Sequence, residues 1–287
     1  MSVKELTEPQ ELLKKEKQIE ELLAGIDRVL IAFSGGVDSS YLLAKAVQVK
    51  GSEQVMAVTV KSALSPPGEV EEAARFALKL QVRHFVLNID LTGDRDISAN
   101  TTERCYFCKN KIFGKLTEIA NAKSFKVILD GSNADDLADY RPGMRAIREL
   151  GIRSPLLEVS LGKAGIRELS KKAGLKTWNK PAAACLATRF PYGEKLDTAR
   201  LRQVAEAEKY LRLMGIKQDL RVRCHGELAR IEVNASDMKR IIDRKEAIAE
   251  KIKEIGFLYV TLDLNGFKSG SMNRMLPLDR HNGDLKT

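Results

Sequence analysis

Histidine, tryptophan and cysteine are scarce in this chain: three, one and four residues among 287. His84 and His225 stand alone, without ligand spacing, and no second C-x-x-C accompanies Cys105 and Cys108, so a four-ligand zinc site has no sequence support. No apolar run approaches the roughly 20 residues that a bilayer-spanning helix needs. The charged, amphipathic N-terminal stretch lacks the apolar centre of a secretory signal. The expected compartment is the cytoplasm, where four cysteines do not form a disulfide framework. Aromatic residues make up 6% of the chain, and none are interleaved with basic residues as a platform for unpaired bases, so nucleic acid is not an expected partner. Internal repeats and low-complexity segments are absent.

What the chain does contain is an ordinary globular balance, 44% hydrophobic and 30% charged, with a net charge of +9. That surplus fits an anionic ligand such as a nucleotide, although Lys and Glu on a solvated surface account for it equally well. Short branched-aliphatic runs at 28–33, 54–60, 82–89 and 125–131 read as strands. They alternate with helical patterns at 8–24, 39–51, within 65–80 after a Pro-containing loop, and at 105–122. This alternation predicts an α/β fold, a doubly wound parallel sheet with helices on both faces. Ligands on such sheets bind beyond the carboxyl ends of the strands. A further helix is expected at 161–175, then an irregular stretch over 177–193. Beyond it the pattern changes to a helix (197–214), two adjacent strands, one helix (236–254) and a last strand. The expected division is therefore 1–190 and 191–287, the second part a smaller α+β domain.

The run Ser34-Gly35-Gly36-Val37-Asp38-Ser39-Ser40 ends the first strand and opens a helix. Glycines let backbone amides approach an anion, and the helix N-terminus supplies unpaired N–H groups and partial positive charge. The serine hydroxyls add donors. Asp38 would repel phosphates unless a divalent cation stood between them, and Mg²⁺ is the usual one. The run lacks the Gly-Lys-Ser/Thr ending of a Walker loop. It resembles the pyrophosphate loop of the N-type ATP pyrophosphatases, whose tRNA-thiolating members are the alternative reading. That resemblance implies ATP as substrate, cleaved between its α and β phosphates as a substrate oxygen becomes adenylated.

Cys105 and Cys108 begin a helix. Cys185 lies in a Gly/Ala/Pro-rich loop where backbone can pack close to a cofactor. Three cysteines can hold a [4Fe–4S] cluster with one iron open. A redox pair and small buried hydrophobes are the other readings. Cys224, on a strand, reads as core.

Four blocks together, IAFSGGVDSS, RCYFCK, DGSNADD and PAAACLATRFPYGEKL, resemble the pyridinium-3,5-biscarboxylic acid mononucleotide sulfur transferases, the LarE proteins. LRVRCHGELARIEV and LDLNGFKSGSMN extend the resemblance toward the C-terminus. It implies that a substrate carboxylate attacks the α phosphate of ATP and that the acyl adenylate accepts sulfur to give a thiocarboxylate and AMP. Two carboxylates are converted in turn, toward a nickel-pincer nucleotide cofactor. The family holds two sulfur strategies. In one, the residue matching Cys185 sacrifices its own sulfur. In the other, three cysteines carry a [4Fe–4S] cluster whose open iron delivers sulfide from a separate sulfur donor, and the presence of Cys105 and Cys108 beside Cys185 resembles this kind. A homo-oligomer, as large as a hexamer, is implied as well. Arg221 and Arg223 match the site for the substrate phosphate. Arg can grip phosphate or carboxylate in a fork, and Arg189 is placed to reach the same anion or ATP. Lys268 stands where the family more often has Arg, and keeps the charge without the fork. Asp135 and Asp136 are candidates for orienting ATP or a metal, with helix capping as the alternative.

Overall fold

A computed structural model describes residues 8–138, 141–216 and 219–268. The chain groups into two compact units, each assembled from three passages. One takes the chain up to Lys61, then Gly68–Ile89 and Tyr106–Ala182; the other takes Ser62–Pro67, Asp90–Cys105 and the chain from Ala183 on.

The first unit is built on four parallel strands, β1 (Val29–Ala32), β2 (Val55–Lys61), β3 (Arg83–Asn88) and β4 (Val127–Leu129), in the order β3-β2-β1-β4. Because side chains alternate across a strand, β1 feeds two cores. Val29, Ile31 and, just beyond it, Phe33 pack on one face with residues of α1 (Glu8–Ala24), α2 (Val37–Lys50) and α3 (Glu69–Lys79). Leu30 packs on the other with Phe113, Leu116 and Ala120. Those three residues belong to α5 (Arg104–Ala122), which follows the single turn α4 (Arg95–Ser98). The doubly wound α/β fold expected from the sequence is thus present. Three more helices, α6 (Gly143–Glu149), α7 (Pro155–Glu158) and α8 (Lys163–Lys172), complete the unit.

Local chemistry sets the helix ends. Three acidic residues, Glu69, Glu71 and Glu72, occupy the first turn of α3, where they offset the helix dipole. Gly51 closes α2 at φ +80° and donates its N–H to the Val47 carbonyl. The chain leaves β1 toward β2 on one side and is joined by β4 on the other. The crevice beyond the ends of β1 and β4 is therefore the switch point at which such sheets bind ligands.

The second unit holds α9 (Thr198–Leu213), capped by Asp197, and a three-stranded sheet. Its strands are β5 (Arg221–His225), antiparallel to β6 (Leu228–Glu232), and β7 (Tyr259–Leu262), parallel to β6. The single helix expected over 236–254 is two, α10 (Ala235–Ile242) and α11 (Lys245–Ile255). The break falls at Asp243 and Arg244, and φ of −124° at Arg244 leaves the helical range. It turns Ile248 and Ile252 inward while Ile242 stays exposed. None of the described helices is long and apolar enough to cross a membrane.

Candidate functional site

At the switch point Ser34, Gly36, Asp38 and Ser39 line a cavity of about 230 Å³, together with Ala32, Asp130, Gly131, Ser132 and Asp136. Gly35 holds φ +75°, and a Cβ there would lie 3.1 Å from the Ala73 Cβ. Only glycine meets both demands without strain. Gly131 approaches the start of α2 so closely that a Cβ would sit 3.0 Å from the Ser39 nitrogen. The Ser34 and Ser39 hydroxyls are 3.0 Å apart, and the Gly36 N–H donates to Ser34 Oγ at 3.4 Å. Val37 turns into the core and Ser40 is fully buried. Of the seven residues expected to hold ATP, Ser34, Gly36, Asp38 and Ser39 line the cavity.

Asp38 carries the strongest electrostatic signal there. Its Oδ2 accepts from Asn133 Nδ2 at 3.3 Å and lies 3.9 Å from Lys163 Nζ. Its Oδ1 is buried without a hydrogen-bond partner. Burial pushes the carboxyl above its ordinary value; Lys163 opposes this and Asp136 adds to it. A buried, half-satisfied carboxylate is costly unless a cation meets it.

The two aspartates of the polar loop diverge. Asp136 is buried, accepts from the Asn133 N–H at 3.0 Å and pairs with Arg141 at 2.7 Å on the cavity wall. Asp135 accepts from the Lys163 N–H at 3.0 Å, capping the start of α8. Sequence reasoning missed Lys109 and Arg141, which line the cavity, and Asp130, whose buried carboxylate accepts from the Ser132 and Ser154 hydroxyls at 2.7 and 2.5 Å. It also missed Lys180, which donates to the Gly35 carbonyl at 3.1 Å and lies 2.8 Å from both Glu69 and Glu72.

In the second unit, Cys185 precedes a 3-10 turn, Leu186–Arg189. Its carbonyl accepts from the Thr188 N–H (3.0 Å), the Thr188 hydroxyl (2.8 Å) and Arg189 Nη1 (3.2 Å). Arg104 donates to Cys105 Sγ at 3.6 Å. Burial pushes the Cys185 thiol up, and the nearby Arg104 charge is the largest opposing influence. None of the four cysteines is in a disulfide; Cys105 is exposed, Cys108 and Cys185 half-buried, Cys224 buried. Cys105 and Cys108 lie about one turn apart on α5. Among the described residues no three His, Cys, Asp or Glu side chains are gathered closely enough to hold a metal ion.

The arginines expected at the substrate anion form a network. Arg189 is 1% exposed and grips Glu208 through Nε and Nη2. Arg212 meets Glu208 from the other side at 2.9 Å. Arg223, also buried, holds Glu232 at 2.8 Å and donates to the Thr188 carbonyl at 2.6 Å. Arg221 stacks on the Phe267 ring at 5.1 Å. Burial and the crowding of Arg189, Arg223 and Arg212, against the pull of Glu208, push its pKa down to about 10. An anion would relieve that crowding. Lys268 is exposed at the last described position, and Ser269–Asn273 of the LDLNGFKSGSMN block lie outside the described residues.

Comparison with known proteins agrees with this geometry. Residues 9–175 match the PP-loop domain family. The chain is 37% identical over 265 residues to the pyridinium-3,5-bisthiocarboxylic acid mononucleotide synthase of Lactiplantibacillus plantarum, covering 92% of this chain and 96% of that one. It is 39% identical to an uncharacterized protein of Synechocystis, covering 92% and 99%. A third relative, an uncharacterized protein of Methanocaldococcus jannaschii, is 33% identical over 84% and 91%.

Proposed function

The chain belongs to the PP-loop family, in the branch of the pyridinium-3,5-bisthiocarboxylic acid mononucleotide synthase, and from that membership we propose that it converts the carboxylates of pyridinium-3,5-biscarboxylic acid mononucleotide to thiocarboxylates at the expense of ATP. The observation that carries the reading is on α5. Lys109 lines the phosphate cavity, and Cys108 precedes it on the same helix. The helix that supplies a cation to the phosphate cavity thus also carries a cysteine.

In the first step a substrate carboxylate oxygen attacks the α phosphorus of ATP, and pyrophosphate departs with the electron pair of the broken P–O bond. The Ser34–Ser39 loop and the α2 N-terminus receive the pyrophosphate, with Lys109 and Arg141 adding charge. The orphaned Asp38 Oδ1 supports a cation at this position; Mg²⁺ would be held by Asp38 and would neutralise the phosphates. In the second step a sulfur nucleophile attacks the acyl carbon, and AMP leaves. Arg221 and Arg223 bind the substrate phosphate, with Lys268 as a further cation for it. Arg189 acts from behind, holding the Arg–Glu frame in place.

The sulfur-delivering residues are Cys105, Cys108 and Cys185. Cysteine thiolates are the ligands a [4Fe–4S] cluster takes, and these three would hold it. When bound, the cluster would supply an open iron able to carry additional sulfide from an external donor. Anaerobic incubation with ATP and the dicarboxylate nucleotide tests the reading, with pyrophosphate and product mass as readouts. No ATP cleavage in the presence of substrate would overturn it. Iron and acid-labile sulfide content separates the two sulfur routes. About four of each per chain supports the cluster, whereas loss of sulfur from Cys185 identifies the sacrificial route.

A further inference from the structure

Arg104 is 4% exposed. Its hydrogen bonds go to Asn100 Oδ1 and Cys105 Sγ, and its guanidinium stands 5.8 Å from the Tyr192 ring centroid. Among the described residues no carboxylate meets it. Every other deeply buried cation of the two units has one: Lys45 has Glu16 and Glu20, Arg189 has Glu208, and Arg223 has Glu232. A buried charge without a counter-ion costs several kcal/mol. Arg104 is also the first residue of α5, whose first turn carries no acidic residue. A cation is disfavoured at a helix N-terminus, so its position adds to the cost of burial.

The surrounding backbone holds it there nonetheless. Asn100, at φ +52°, donates from Nδ2 to the Pro191 carbonyl at 2.8 Å, and its own carbonyl accepts from the Gly193 N–H at 2.9 Å. One segment on, the Leu196 N–H donates to the Ser98 carbonyl at 2.7 Å. These contacts leave the Asn100 side-chain oxygen facing the guanidinium and fix its direction toward sulfur.

We propose that Arg104 is the counter-cation of the sulfur centre: its guanidinium holds the negative charge that sulfur carries at Cys105 and Cys185. This deepens the reading of those cysteines as the sulfur-delivering centre and rests on it. Arg104 acts as a positioning residue in either route. It would steady thiolates bound to iron, and equally an anionic sulfur on its way to the acyl adenylate.

The test uses the reduced, metal-free full chain, with neither ATP nor substrate, so its result is independent of whether iron loads or sulfuration occurs. Each thiol is alkylated with anionic iodoacetate and, separately, with neutral iodoacetamide, and rates are read per cysteine by peptide mass spectrometry. The ratio of the two rates at one thiol cancels that thiol's own ionisation and reports the local field. At Cys105 and Cys185 the ratio should be about tenfold higher in the folded chain than in urea. It should fall by a similar factor in Arg104→Gln and stay near wild type in Arg104→Lys. Buried Cys224 monitors folding in every sample, since it reacts only when the unit opens. A folded-chain ratio no higher than that in urea overturns the proposal without recourse to any variant. So does an unchanged ratio in a folded Arg104→Gln protein.

Discussion

Arg189 and Glu208 face each other in a two-pronged ion pair, Nε to Oε1 at 2.8 Å and Nη2 to Oε2 at 3.1 Å, with side chains 1% and 0% exposed. The Val222 N–H donates to the same Oε1 at 3.2 Å, so the pair links the Cys185 turn to β5. Removing one partner strands a buried charge. Arg189→Ala or Glu208→Gln should each cost about 3–5 kcal/mol, while a well-packed apolar double replacement should recover most of it. Urea midpoints measure all three.

The same pair sets an acid limit. Burial pushes Glu208 up, but Arg189, with Arg212 behind it, pulls harder and leaves it below its ordinary 4.5. A depressed carboxyl stabilises the fold above that value and loses its contribution as pH falls through the folded-state pKa. Stability of the wild type should therefore drop below pH 4.5 more steeply than that of Glu208→Gln.

At Asp38 the sign is opposite. Its carboxyl is raised from 3.8, so its favourable contribution is full below that value and is lost as pH rises through the folded-state pKa. At neutral pH the metal-free Asp38→Asn protein should be more stable than wild type by about 1 kcal/mol. Below pH 3.8 the gain should vanish. Thermal scans with and without Mg²⁺ check this, since only the wild type should be stabilised by the ion. Pyrophosphate release by the variant should fall about 100-fold or more.

Gly35→Ala should cost about 1–3 kcal/mol through its positive φ and weaken ATP binding. Adding Ala73→Gly should relieve the 3.1 Å contact but leave the backbone strain, so the recovery should be partial. Nucleotide titration of the single and double variants distinguishes the two causes.

Lys180 ties the loop from outside. Burial lowers its pKa, but Glu69 and Glu72 raise it further, so the tie holds below the ordinary 10.5 and loosens only as pH rises through the still higher folded value. Lys180→Met frees the Gly35 carbonyl and leaves two acids unpaired. KM for ATP should rise about tenfold, the loss of one charged hydrogen bond, with a smaller change in kcat.

The phosphate loop was legible in the sequence because its demands are local: glycine where φ is positive, hydroxyls near the strand end, a helix to follow. Strands β1 to β4 were legible because branched residues cluster in each. The short helices α4, α6 and α7 carried no comparable period, since one or two turns depend on their surroundings. Lys180 could not be read at all. It acts on Gly35 from 145 residues away, and in sequence it is one lysine among many charged neighbours. Nothing local to Arg189 announces its buried pairing with Glu208, 19 positions on.

The interleaving of the two units bears on synthesis. Translation carries the chain from one unit to the other five times, the last at Ala183. Asp90–Cys105 leaves the ribosome long before the segment that completes its unit. At 5–20 residues per second, the wait until β7 follows is on the order of ten seconds. Over that interval Cys105 has its thiol but lacks the Pro191, Gly193 and Leu196 contacts that organise its surroundings. The nascent chain is thus briefly a carrier of an unguarded thiol, and a truncation near residue 190 would make that condition permanent.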